Sequence, residues 1–150
     1  NGGRALACSD MFFSPMRNLV LPRPAENMGE GWETRRKRVS GHDWIVVKLG
    51  ERGYARMVVL DTAFFKGNYP DRAMVEGIDA GGASLLELLS PQNSELAWKP
   101  LTRDIKLGPD QLHCLEDLEG SGPITHVRLN IFPDGGISRM RIYGRRCEGE

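Results

Sequence analysis

Neither sign of charge prevails in this chain: 20 lysines and arginines stand against 20 aspartates and glutamates in 150 residues. That balance argues against a nucleic-acid binder and against an acidic tail protein. No apolar run approaches the roughly 18 residues of a membrane-spanning helix, so no membrane segment is expected. The chain opens on Asn1 without a charged leader or an apolar stretch behind it, and no signal peptide is expected. Cysteine is scarce. Cys8, Cys114 and Cys147 are far apart and form no C-x-x-C, which predicts reduced thiols and a cytoplasmic setting. His42, His113 and His126 show neither H-x-H nor H-E-x-x-H spacing, so neither a metal nor another cofactor is expected.

What the chain has in quantity is glycine, 18 residues, with 9 prolines. Most of them punctuate short apolar runs, the pattern of turn-rich β proteins. Asp43 to Gly50 and Arg56 to Phe65 read as strands, because the runs are short and rich in β-branched residues. Ala73 to Ala80 reads as a third. From Thr125 to Phe132 the alternation is clear: Val127, Leu129 and Ile131 point one way, His126, Arg128 and Asn130 the other. Pro133-Asp134-Gly135-Gly136 then supplies turn chemistry, and Ile137 to Tyr143 predicts the returning arm of a hairpin. Helix signals are few: a turn or two near Met11 to Leu19, and Ser84 in a capping position before Leu85 to Leu89. The expected architecture is all-β, a single antiparallel β-sandwich domain over residues 1–150.

Several polar residues interrupt this frame. Glu33 and Arg35 lie beside Trp32 in loop sequence, and Arg35-Arg36-Lys37-Arg38 taken alone reads as a solvated loop. Asp61 sits with Thr62 at an otherwise apolar strand, where a carboxylate must be paired or hydrogen-bonded. It either satisfies loop amides or contacts a ligand. Asn68 and Tyr69 follow as turn residues or hydrogen-bonding partners. His126 and Arg128 share the polar face of their strand, either as solvated surface or as part of a site.

Taken together, the blocks Gly2 to Asp10, Asn18-Leu19 with Asn27 to Arg35, Asp43 to Gly50, Asp61 to Phe65, Gly67 to Pro70, Leu107 to Pro109 with His113, and Thr125 to Asn130 running into Pro133 to Gly136 resemble the allantoicase repeat, specifically its second copy. The resemblance implies a galactose-binding-like jelly roll and hydrolysis of allantoate to ureidoglycolate and urea, a step of purine catabolism. Allantoicases usually carry two repeats in tandem, so the resemblance also implies a sister repeat or a homo-oligomer as partner. A non-catalytic binding module or a structural half stands as the alternative.

Allantoate bears a carboxylate and two ureido groups on one carbon. Loss of urea needs a cation for the carboxylate, an acid for the departing nitrogen and a base for water. Arg35 and Arg128 are the candidate clamps, since the guanidinium fork matches a carboxylate. Glu33, His126 and Asp61 are the candidate acid and base, and Thr62, Asn68 and Tyr69 the candidate hydrogen-bonding partners of the substrate. These residues are expected to converge on one cleft at one end of the sandwich. Met11, Phe12 and Phe13 form an apolar triplet expected in the core or, failing that, on a contact surface.

Overall fold

The computed structural model describes residues 2–90, 97–120 and 122–148. Among them the strands, in chain order, are β1 (Arg4–Cys8), β2 (Trp32–Glu33), β3 (Asp43–Asp61), β4 (Arg72–Ile78) and β5 (Lys99–Pro100). There follow β6 (Ile105–Lys106), β7 (Leu112–Leu115), β8 (Ile124–Phe132), β9 (Gly136–Ile137) and β10 (Arg139–Arg146). Beside 3-10 turns at Met16–Val20 and Met28–Glu30, the described residues hold a short α-helix, α1 (Leu85–Leu89), with Ser84 and Glu87 in a reciprocal capping box, which satisfies orphan amides of its first turn. No helix among the described residues is long and apolar enough to cross a membrane.

The long strand β3 organises the molecule. Its first half pairs with β1 and β8, and β8 continues to β4 and β5. Past the bend between Lys48 and Gly53 its second half pairs with β10 and β7. One strand therefore serves both layers of an antiparallel sandwich. Val127, Leu129 and Ile131 of β8 turn inward as their alternation predicts, and are fully buried with Ile45, Val75, Val58 and Leu60. Each such aliphatic contributes roughly 1.5–3 kcal/mol on leaving water.

Two expectations are corrected. The runs expected as separate strands at Asp43 and Arg56 are continuous, and the second ends at Asp61, not Phe65. It ends because the Asp61 carboxylate accepts the Ala63 amide at 2.9 Å and the Phe65 amide turns back to the Thr62 carbonyl. The expected hairpin does not form either. Among the described residues β8 pairs with β3 and β4, whereas β10 pairs with the far half of β3. Alternation chooses the buried face of a strand but does not choose its neighbour.

The segment between β8 and β10 instead lies on the loop after β3. Gly135 has φ +130°, and a Cβ there would come within 2.7 Å of the Asn68 carbonyl; one on Gly136 would overlap the Phe65 ring. The Gly136 amide donates to Asn68 O at 2.9 Å. This close backbone approach, open to glycine alone, brings Asn68 to β2.

Candidate active site

The short strand β2 pairs with β9, Glu33 opposite Gly136. Trp32 and Thr34 face inward: the Trp32 indole donates to Asp10 O at 2.9 Å, and Thr34 Oγ1 accepts the Gly135 amide at 3.0 Å. The alternation turns Glu33 and Arg35 to the opposite, outer side. There Asn68 Nδ2 donates to Glu33 Oε2 at 2.8 Å. Burial pushes the Glu33 carboxyl above the ordinary carboxylate range, and the Asn68 bond pulls it only partly back. Arg35 is anchored by its amide, which donates to Asp10 Oδ2 at 2.6 Å, and its guanidinium lies 4.5 Å from the Phe12 ring centroid. A carboxyl of raised proton affinity, a cation and an amide thus share one surface. Asp10 orders both Phe12 and Arg35, a role at the site that the sequence reading did not give it.

The basic run behind Arg35 divides in two. Arg36 and Arg38 are exposed, in keeping with a solvated loop. Lys37 is committed: its amide donates to Asp134 Oδ2 at 2.6 Å and its ammonium lies 3.3 Å from Asp43 Oδ1. Asp43 is buried and also accepts the Ser9 hydroxyl at 2.8 Å, so this pair ties the loop after Glu33 to the end of the core.

The remaining candidates make contacts of their own. Asp61 caps its own turn as described, the first of its two expected roles. Thr62 is fully buried, its hydroxyl donating to Gly108 O at 2.7 Å. Tyr69 is half-buried against the core cluster. His126 and Arg128 are on the outer face of β8, and His126 is six residues before Phe132, about 20 Å along the strand. Arg128 Nε donates to Glu76 Oε1 at 2.7 Å and its guanidinium lies 4.7 Å from the Trp98 ring. His126 is buried, with Nδ1 2.7 Å from Thr125 Oγ1.

Burial first, and then the Lys48 charge, hold His126 below its ordinary value. The folded state therefore binds this proton less readily than the unfolded chain, whose His titrates near ~6.5. The stability contributed by neutral His126 is present above that pH and is lost as pH falls towards the lower folded value. Urea titrations at several pH values are expected to show this decline, and His126→Gln to flatten it. Parallel curves for the two proteins would refute the assignment.

His113 is fixed from both sides: Nδ1–H donates to Leu60 O at 3.0 Å and Nε2 accepts the Gly108 amide at 2.9 Å. Among the described residues no cluster of three or more His, Cys, Asp or Glu could hold a metal ion. A cleft of ≈ 880 Å³ opens elsewhere, where the bend of β3 meets β10. Its single lining carboxylate, Glu51, is exposed and lies 3.7 Å from Arg146, so it offers no group poised for proton transfer.

This architecture is that of a galactose-binding-like jelly roll. The family 32 carbohydrate-binding module from Streptococcus pneumoniae EndoD shares the fold with a TM-score of 0.63 at 11% identity, over 96% of this chain and 97% of that one. Within that class the chain belongs to the allantoicase repeat family, whose model matches residues 1–147. It is 50% identical to a probable allantoicase of Pseudomonas aeruginosa over 148 residues, which is 97% of this chain and 43% of that protein. The crystal structure of allantoicase from Saccharomyces cerevisiae superposes with a TM-score of 0.80 at 36% identity, over 95% of this chain and 40% of that one. The chain thus spans less than half the length of these relatives.

Proposed function

We propose that this repeat hydrolyses allantoate to ureidoglycolate and urea, with Glu33 and Arg35 at the reacting centre. The observation that carries the reading is the half-buried Glu33, held by Asn68 and raised in proton affinity, on the same side of the loop as Arg35 in a member of the allantoicase repeat family. Arg35 takes the substrate carboxylate in its fork. Protonated Glu33 gives its proton to one ureido nitrogen while the lone pair of the other expels it. The C–N bond breaks, urea departs, and an acyliminium carbon remains. Water adds to that carbon, and the Glu33 carboxylate takes the water's proton. Glu33 is thereby restored, so one carboxyl acts as acid and then as base. Asn68 orients Glu33 throughout. We place the reaction in the cytoplasm, where the free thiols Cys8, Cys114 and Cys147 stay reduced.

The test is a urea-release assay with allantoate beside calorimetric titration. Arg35→Met is expected to raise KM about tenfold or more, and Arg128→Met to leave it near the wild-type value. Heat of binding without urea release would reduce the repeat to a binding module. An Arg128→Met effect equal to that of Arg35→Met would place the carboxylate on the wrong face.

A further inference from the structure

Met11, Phe12 and Phe13, expected in the core, are exposed instead, at 48%, 59% and 60%. Ser14 bridges Glu33 in antiparallel fashion, and the Phe13 amide donates to Glu33 O at 3.2 Å. Two residues further along each segment, Phe12 falls opposite Arg35 as its cross-strand partner. The Arg35 guanidinium lies over the Phe12 ring, 4.5 Å from its centroid. Phe13 meets that ring edge-on, with centroids 4.9 Å apart and planes at 87°, so the ring beneath Arg35 is itself braced. The Asp10 carboxylate takes the Phe12 amide on Oδ1 at 3.0 Å and the Arg35 amide on Oδ2 at 2.6 Å. One bracket thus holds the backbone of both partners, and the ring holds the guanidinium.

We propose that Phe12 is the positioning residue of the carboxylate clamp: its ring face fixes the Arg35 guanidinium and leaves the donor edge for the substrate carboxylate. The proposal rests on the reading of Arg35 given above. Attraction to a ring face is electrostatic and occupies none of the guanidinium N–H donors. Arg72 and Arg128 also lie over rings, those of Phe132 and Trp98, yet each spends a donor on a carboxylate, Asp104 at 2.9 Å and Glu76 at 2.7 Å. Among the described residues no carboxylate pairs with the Arg35 guanidinium. An arginine free in solvent gives up rotamer freedom when it takes a ligand, whereas a fork already set over a ring has given it up beforehand. The exposure of Phe12 serves the same end, since the guanidinium on it stays open to an anion arriving from solvent.

Steady-state urea release from allantoate by the intact protein tests this. Phe12→Leu is expected to raise KM about two- to fivefold, the worth of an exposed cation–π contact, with kcat unchanged. Phe12→Val serves if that variant misfolds. Phe12→Trp, which restores a ring face, is expected to keep the wild-type KM. In an Arg35→Met background Phe12→Leu should add nothing further. A wild-type KM for Phe12→Leu while Arg35→Met raises it overturns the proposal, as does an equal rise for Phe12→Leu and Phe12→Trp. So does a rise that persists in the Arg35→Met background. NMR of the Arg35 side chain distinguishes failure of the platform from failure of the clamp. Its Cδ protons are expected upfield in the wild-type protein, under the Phe12 ring current, and at ordinary shifts in Phe12→Leu. Without that upfield shift the platform is refuted. The shift together with a wild-type KM for Arg35→Met would keep the platform and discard Arg35 as the clamp.

Discussion

Replacing Glu33 by Gln is expected to lower urea release by about 10²–10⁴-fold while leaving the protein as stable as before or more so. The two effects have one cause. Burial raises the Glu33 carboxyl, so the folded state favours its protonated form. Stability from that preference is full below the unfolded value of ~4.3 and is lost as pH rises through the higher folded value. At neutral pH the ionised side chain is thus a burden that Gln removes. Gln also keeps an oxygen for the Asn68 amide, whose 2.8 Å bond survives the change. Thermal melts and initial rates on the same preparations decide the matter. A variant that loses activity together with stability would mean that Glu33 holds the loop rather than moves protons.

The largest stability effect is expected at Arg139, in the strand expected over Ile137 to Tyr143. It is buried to 2% exposure, and its guanidinium donates to Arg23 O at 2.8 Å, Glu30 O at 2.6 Å and Ser138 O at 2.7 Å. Those bonds pin the segment that carries Met28 and leads into β2. Desolvation, with the neighbouring Arg141 and Arg23 charges, holds this guanidinium below its ordinary value. Arg139→Met removes the charge-assisted bonds, each worth about 1.5–3 kcal/mol, and leaves main-chain carbonyls without their donor. A net loss of about 3 kcal/mol is expected, read as a lower urea midpoint at unchanged m-value. A midpoint that rises instead would show that desolvating the guanidinium costs more than its bonds return.

Much of the fold could be read in the sequence because its signals are local. The inward face of β8 was legible in the alternation of Val127, Leu129 and Ile131, the turn after it in Pro133 to Gly136, and the start of α1 in Ser84. The family was legible in ordered blocks spread along the chain. Glu33, Arg35 and Asn68 were legible as candidates because charged or amide side chains beside Trp32 and in a glycine loop are conspicuous. Their juxtaposition was not. It depends on Gly135 and Gly136 admitting the Asn68 backbone at van der Waals range, a contact between segments about 67 residues apart that no local pattern encodes. Where His126 and Arg128 sit relative to Glu33 was equally hidden. Alternation places both on one face of β8, but the position of that face relative to the loops is set by the strands that pair beside it and by the bend that carries β3 into both layers. Tertiary structure also decided the fates of Thr62 and Met11 to Phe13. A hydroxyl goes inward where buried carbonyls need a donor, whereas Met11, Phe12 and Phe13 stay exposed.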